Sequence, residues 1–481
     1  MLQHLGTSSH ELVLNDLGQQ LAERGHNVTQ LRVKCTNSRP LPTGGVEVID
    51  LPARTRGLGG AYFDRDGVFR APVHDVWRRT RRWYNMPASQ YVFQMFKVRR
   101  WYNMLASEYV FQPFKQLFHK LQQKHFDVAL IDLMGNGCGL ALAHKLGVPV
   151  VGFWVISFTG PESFVLSAVN LPSVVAANLS DLGPHMSFLQ RITNTLSALA
   201  YAIGFYISNY VADQYIKVGG AQWRRRVLPN GPDALTLLRA VDITLVNNNF
   251  LSTQPLLLPP NVRSIGCSQC RAARPLSKDL DEFMRSSGEH GVVVFSLGIT
   301  MYDPDVIPSE FIETFIRVFG KLKQKVLMRY HLKSTADVPA NVHMVDWMPQ
   351  RDVLGHPNTR LFVNHCGINS VMEAIYNGVP MLGVPIFGDQ GENAKFMEYR
   401  GLGIAVEKES MTDEALLRSL KTLLYNQTYQ RRARRTAAIW RADGQTALER
   451  VEHWLTMKVR FGRLPHLQMI DRHLGPLHQQ P

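Results

Sequence analysis

At 481 residues the chain is too long for one compact core, and 45% hydrophobic with 19% charged residues is the make-up of a folded protein rather than a disordered one. Its five cysteines, an odd and sparse set, exclude a disulfide framework. The net charge of +14 reads as a solvated basic surface, with attraction to anionic lipid or an anionic substrate as the sharper readings; the main basic run, Arg431, Arg432, Arg434 and Arg435, has no recognition motif around it, which argues against nucleic acid.

In chain order, Met1 is followed by Leu-Gln-His-Leu-Gly, without the apolar stretch of a signal peptide. Residues 11–25 have helical periodicity, and GHNVTQLRV then turns into a strand. The segment RRWYNMPASQYVFQMFKV (81–98) is followed at once by RRWYNMLASEYVFQPFKQ (99–116), identical at 14 of 18 positions. Eighteen residues make about five helical turns, so a helix would absorb the insertion without rotating the residues beyond it. Two copies fall short of a solenoid, and the repeat reads as a local duplication.

FDVALIDL (126–133) and GVPVVGFWV (147–155) are β-type runs, with a helix expected over 137–146 between them. Segment 197–211 comes nearest to a membrane span, but it is short and interrupted by Ser, Asn and Gly, so a buried or interfacial helix is expected. Residues 250–290, rich in Pro, Ser and charge, read as a connection. Within them Cys267-Ser-Gln-Cys270 lacks the second pair that a zinc site needs, and reads as two loop cysteines. Strands are then expected at GVVVFSLG (291–298), KVLMRY (325–330), LFVNH (361–365) and PMLGVPI (380–386), with a helix over about 368–377. This alternation predicts parallel α/β units in two domains, 1–245 and 288–440, joined by 246–287 and followed by a helix and tail at 441–481. Ligands on such sheets bind beyond the carboxyl ends of the strands, so a cleft between the halves is the expected site.

The informative stretch is WMPQRDVLGHPNTRLFVNHCGINSVMEAIYNGVPMLGVPIFGDQ, residues 347–390. A strand runs through Cys366 and Gly367 into a helix that Asn369 and Ser370 are suited to open. Gly367 admits close approach of a ligand, and a helix amino end with its free N–H groups favours a phosphate. His365, at the strand end, is placed to donate to a phosphate oxygen. Glu373, one turn beyond Asn369, suits two ribose hydroxyls. Trp347 offers a flat face for a base and Gln350 a donor and an acceptor for its edge. Asp389 and Gln390 follow another strand and suit sugar hydroxyls.

This stretch resembles the signature of the UDP-glycosyltransferases, the family of animal UDP-glucuronosyltransferases and plant glucosyltransferases. His365, Gly367, Asn369, Ser370, Glu373, Asp389 and Gln390 fall on its marked positions, and 44 residues is the length of the plant version. GEHGVVVFSLG (288–298) is similar to the animal family, in which the serine of FSLG, here Ser296, approaches the diphosphate. The resemblance runs from about residue 6 to 465. It implies a GT-B fold, two Rossmann-like domains with parallel sheets facing across a cleft, the acceptor on the first and the UDP-sugar on the second. It also implies inverting transfer of a hexose, with animal-type features favouring glucuronic acid, to a hydroxyl of a small lipophilic acceptor, without metal or cofactor. Two positions depart from the pattern: Asn364 stands where Thr or Ser is usual, and Ile299 where Ser is common.

An acceptor hydroxyl needs a base, and histidine suits the task when a carboxylate fixes its tautomer. The candidates are His10, before the first helix, and Asp132, ending FDVALIDL. Both match the family's base and its supporting aspartate. His26, in ERGHNV, reads as structural. The resemblance also implies the endoplasmic reticulum membrane, although neither a signal peptide nor a transmembrane run is visible, so a truncated or soluble form is the other expectation; homo-oligomerisation stays open. The strand that should lead into GTSSH is nearly absent. The alternative reading is therefore a catalytically impaired UDP-sugar binder or a fragment, with the duplicated 81–116 segment as a second reason for it.

Overall fold

A computed structural model of the chain describes residues 8–34, 45–52, 118–133, 137–156, 171–177, 182–214, 230–298, 309–330, 338–386, 389–408 and 411–468, with positions 158, 163, 166, 228 and 307 between them. The duplicated segment 81–116, the residues leading into GTSSH, Ile299 and the tail beyond 468 lie outside the described residues.

The first half opens with helix α1 (Ser8–Glu23), strands β1 (Thr29–Lys34) and β2 (Glu47–Pro52), which pair in parallel, and β3 (Ala129–Asp132). Next come α2 (Gly137–Leu146), β4 (Val150–Trp154), α3 (Phe188–Gln214), α4 (Ala234–Arg239), β5 (Thr244–Val246) and β6 (Val262–Ser264). Strands β3-β4-β5-β6 form one parallel sheet in that order. The stretch 246–287, whose composition reads as a connection, thus supplies an edge strand to this sheet. Three residues behind Pro259 and Pro260 are too few to show a period, which is why the strand is silent in the sequence.

The second half continues with α5 (Lys278–Arg285), β7 (Val292–Ser296), α6 (Ser309–Phe319), β8 (Lys325–Arg329), β9 (Val342–Val345), α7 (Gln350–Leu354), β10 (Thr359–Asn364), α8 (Ile368–Asn377), β11 (Met381–Gly383), α9 (Gln390–Tyr399) and β12 (Gly403–Ala405). Helices α10 (Asp413–Tyr425), α11 (Gln427–Arg441) and α12 (Ala447–Phe461) close the chain. Its sheet has the order β12-β11-β10-β7-β8-β9, all parallel.

Burial on both faces explains why β7 is an unbroken apolar run rather than an alternating one. Val293 and Phe295 pack under α6, with Phe295 rings 5.0 Å from Phe315 and 5.8 Å from Phe319. Val292 and Val294 face the opposite layer with Phe362, Met372 and Ile375. Helix α8 ends at Gly378, whose φ of 69° is the left-handed turn that glycine makes without strain.

Helix α12 starts in a capping box between Thr446 and Glu449 and returns to the first half. Its Leu448 and Val451 join Val13, Leu14 and Phe153 in a shared core. Buried Lys458 pairs with buried Asp242, which also accepts from the Leu464 N–H (3.1 Å) and Gln468 Nε2 (2.8 Å). The arginines of the basic run lie on the exposed face of α11, as a solvated surface requires. Segment 197–211, expected as a buried or interfacial helix, lies in α3, which buries Ala198 and Ala202 and exposes Leu199 and Ile203; Leu189, Ile192 and Leu196 of the same helix are also exposed. No helix among the described residues is long and apolar enough to cross a membrane.

Candidate active site

Helix α1 places His10 in its first turn, and β3 ends on Asp132 at the carboxyl edge of the first sheet. Both side chains are buried, and His10 Nδ1 lies 2.6 Å from Asp132 Oδ2. An ionised carboxylate only accepts, so Nδ1 carries the proton and Nε2 the lone pair. The pair of residues singled out in the sequence is therefore joined, across 122 positions, in the geometry a base and its orienting carboxylate need.

In the second half, β7 and β10 end side by side, with Ser296 opposite Asn364 in register. The chain then turns sharply: Cys366 has a φ of 61°, a left-handed conformation rare for a residue with a side chain. Two buried asparagines hold it there. Asn364 Oδ1 accepts from the Cys366 N–H (2.7 Å), and Asn393 Nδ2 donates to the Cys366 carbonyl (3.0 Å). Asn364, a departure from the usual Thr or Ser, thus fastens the turn. Burial pushes the Cys366 thiol up, so it is an inert neutral group in this turn.

The turn delivers His365 between two glycines. A Cβ on Gly298 would sit 2.6 Å from the His365 ring, and one on Gly367 2.5 Å from it. Gly367 is therefore required by the imidazole itself, not only by a ligand as its position suggested. Burial lowers His365 to about 4, with the Arg329 guanidinium adding to the shift, so the ring is neutral at pH 7. Its buried Nδ1 has no hydrogen-bond partner among the described residues.

Helix α8 opens at Ile368 with Gly367 as its cap, one residue before the expected Asn369 and Ser370. Among the described residues no side chain caps it, and the His365 ring lies against its Gly367 cap, with the helix dipole behind. Asn369 turns its Oδ1 toward the first half, where it accepts from Asn247 Nδ2 (3.3 Å) and Gln269 Nε2 (3.2 Å). Ser370 and Glu373 lie beside Gln350, whose Nε2 reaches Glu373 Oε2 at 2.7 Å and Ser370 Oγ at 3.2 Å. Burial raises Glu373 to about 7, against the opposing hydrogen bond from Gln350.

Trp347 is 45% exposed, and the Arg329 guanidinium lies 4.7 Å from its ring centroid. The indole is thus a surface platform, not a core residue. Asp389 is raised by burial, with the hydrogen bond from Asn393 opposing. Gln390 Oε1 accepts from the Ile386 N–H (2.8 Å), so this end of the amide holds its own loop. Among the described residues no three His, Cys, Asp or Glu side chains converge as a metal site would require.

Sequence reasoning missed Arg329, Asn393, Asn247 and Gln269. A cation at the carboxyl end of a buried strand was a usable signal for Arg329, and the i,i+4 spacing of Asp389 and Asn393 one for their 2.9 Å hydrogen bond. Nothing local marks the other two. The cysteine reading is corrected: Cys267 and Cys270 are joined in a disulfide, their Cα atoms 5.2 Å apart. The CxxC turn brings them that close, a geometry that spacing alone leaves undecided.

A family model described as UDP-glucoronosyl and UDP-glucosyl transferase matches residues 2–477. UDP-glucuronosyltransferase 2B14 of Oryctolagus cuniculus is 31% identical over 468 residues, 95% of this chain and 83% of that protein. UDP-glucuronosyltransferase 1A4 of Homo sapiens is 33% identical over 357 residues, 73% of this chain and 64% of that protein. Among solved structures, Os79 from O. sativa in complex with U2F and trichothecene superposes with a TM-score of 0.62 at 16% identity, covering 95% of this chain and 99% of that one. The glycotransferase of kitacinnamycin gives 0.58 at 18% identity, covering 93% and 95%. At such identities the structural matches speak for the fold, and that fold is GT-B: two parallel-sheet domains facing across a cleft.

Proposed function

The chain belongs to the UDP-glucoronosyl and UDP-glucosyl transferase family and is a UDP-glycosyltransferase, taking a sugar from a UDP-sugar; from that premise we propose that the sugar is glucuronic acid and the acceptor a hydroxyl of a small lipophilic molecule, with inversion and without a metal. The observation that carries the proposal is the meeting of the two halves: the buried His10–Asp132 pair lies on the first, and Asn247 and Gln269 bond to Asn369 in the first turn of α8 on the second. The glucuronate assignment leans on the relatives, which are named UDP-glucuronosyltransferases.

On this reading the first half holds the acceptor and the second half the donor. His10 Nε2 takes the acceptor proton as the oxygen attacks the anomeric carbon and the bond to UDP breaks on the opposite side. Asp132 stabilises the imidazolium that forms. The charge that develops on UDP meets the amino end of α8, an N–H of neutral His365 and the Arg329 cation. Ser296 approaches the diphosphate, and Asn369 and Ser370 flank it. Trp347 stacks on the uracil, Gln350 takes its edge, and Glu373 accepts from the ribose hydroxyls. Asp389 and Gln390 face the sugar. Nothing in the geometry of the described residues favours the impaired UDP-sugar binder, since His10 and Asp132 are paired.

A donor panel tests the assignment. With a simple phenol as acceptor, UDP-glucuronate is expected to give conjugate faster than UDP-glucose, UDP-galactose or UDP-N-acetylglucosamine, at a rate that a chelator such as EDTA leaves unchanged. Faster transfer from another sugar would replace the glucuronate assignment, and a chelator-sensitive rate would remove the metal-free one.

The elevated Glu373 gives a pH test of the ribose contact. With its carboxyl raised to about 7, the group is largely ionised only above that value, and the ionised form is the better acceptor for two hydroxyls. UDP-glucose affinity is therefore expected to fall as pH drops through 7, by up to about tenfold per unit at the steepest. UDP-glucose has no terminal phosphate titrating in this range, so the slope belongs to the protein. In Glu373→Gln the slope should vanish; a slope that survives there would move the effect to another group.

A further inference from the structure

Cys267 to Cys270 form a turn closed twice, by the Cys270 N–H donating to the Cys267 carbonyl (3.1 Å) and by the disulfide. The two residues between bond across the junction of the two halves. The Ser268 N–H donates to Asn247 Oδ1 (2.8 Å), and the Ser268 carbonyl accepts from Gln20 of α1 (2.9 Å). The Gln269 carbonyl accepts from Arg351 (3.2 Å). Its side chain accepts from Asn247 Nδ2 through Oε1 (3.2 Å) and donates through Nε2 to Asn369 Oδ1 (3.2 Å). The next residue, Arg271, pairs with Asp16 of α1 at 3.0 Å. One four-residue loop thus touches both the helix that carries His10 and the helix whose amino end faces the donor.

The amide network has one consistent orientation. Asn369 Oδ1 receives both neighbouring amides, so what the Asn369 side chain offers to a ligand is its Nδ2, a donor suited to phosphate or hydroxyl oxygens. Flipping Gln269 would set oxygen against oxygen. Asn247, Ser268 and Gln269 are buried, so a lost partner there is not replaced by water at no cost. Cys267 is buried, whereas Cys270 is half-buried and is the sulfur a dissolved thiol reaches.

We propose that Gln269 is a positioning residue for Asn369 in donor binding, and that the Cys267–Cys270 disulfide holds Gln269 in place, so that a low-molecular-weight thiol–disulfide couple sets donor affinity. The inference rests on the reading of Asn369 as a donor-site residue. In the oxidising direction the Cys270 thiolate attacks a small disulfide such as glutathione disulfide and expels one thiolate. Cys267 then attacks the Cys270 sulfur of the mixed disulfide and expels the second. Two protein thiols lose two electrons and two protons, and the small disulfide becomes two thiols.

The test uses the full chain and reads UDP-sugar KM, acceptor KM and kcat separately. Gln269→Ala is expected to raise the donor KM about fivefold, the worth of one buried hydrogen bond, with kcat and the acceptor KM within twofold of wild type. Dithiothreitol should raise the donor KM of the wild type to a similar extent, glutathione disulfide should restore it, and Gln269→Ala should respond to neither. The Cys267→Ser/Cys270→Ser double variant should start high and stay unresponsive. Should Gln269→Ala fail to fold, the reduced and reoxidised wild type carries the test alone. An unchanged donor KM on reduction, an equal response of Gln269→Ala and wild type, or a joint change of kcat and both KM values would overturn the proposal. UDP binding by the oxidised wild type is measured first. Its absence would bring down the donor-site reading together with this inference, whereas binding with a silent Gln269→Ala would sink this inference alone.

Discussion

Replacing His10 with alanine is expected to lower kcat by about a hundred- to ten-thousand-fold, the range over which a positioned base accelerates proton transfer, with UDP affinity close to wild type. The two effects separate because His10 lies in the first half, 2.6 Å from Asp132, while the residues proposed to hold UDP lie between Ser296 and Gln390. The substitution also strands a buried carboxylate, so thermal unfolding must be recorded beside the kinetics. Asp132→Asn is the sharper companion. It keeps the shape but reverses the hydrogen bond, so that the imidazole presents its N–H rather than its lone pair to the acceptor, and kcat should fall by about as much. A folded His10→Ala chain that retained a tenth of the wild-type kcat would remove His10 from the role of base.

The second large effect is expected at a residue with no functional group. Gly298 has a φ of 80°, and a Cβ there would lie 2.6 Å from His365 Cε1 and 2.7 Å from Nε2. Gly298→Ala therefore combines backbone strain of about 1–2 kcal/mol with displacement of the imidazole. UDP affinity should drop about thirtyfold, what ~2 kcal/mol is worth in binding, while stability falls by less. Calorimetric titration with UDP and thermal unfolding measure the two. Removing the ring in a Gly298→Ala/His365→Ala double variant should recover the share of stability lost to the clash, leaving the backbone strain, but not affinity, a non-additivity that identifies the clash. Affinity within threefold of wild type in Gly298→Ala would place the ring outside the donor contact.

Both halves of the fold were legible because their central strands are long, apolar and punctuated. GVVVFSLG became β7 and LFVNH became β10 with its helix at Ile368–Asn377, the span that periodicity assigns. FDVALIDL became β3 with Asp132 at its end. What stayed hidden was set by partners distant in the chain. The bond from Gln269 to Asn369 spans 100 positions and leaves no periodic trace, and two cysteines three residues apart look alike whether free or joined. The apolar side of α3 reads as either buried or interfacial because hydrophobic periodicity reports amphipathicity and not what covers that side. At the site, the residue types were visible but their supports were not. Asn364 looks like a departure from a pattern until it is seen fastening the Cys366 turn, and the sequence does not show that Gln390 Oε1 also holds its own loop on the Ile386 N–H.

The most direct measurement is a crystal structure of the chain soaked with UDP. The expected result has the diphosphate within hydrogen-bond distance of the amino-end N–H groups of α8 and of His365, with the uracil ring stacked on Trp347 and the ribose hydroxyls on Glu373. A UDP molecule seated away from this turn, with His365 and Trp347 untouched, would contradict the account.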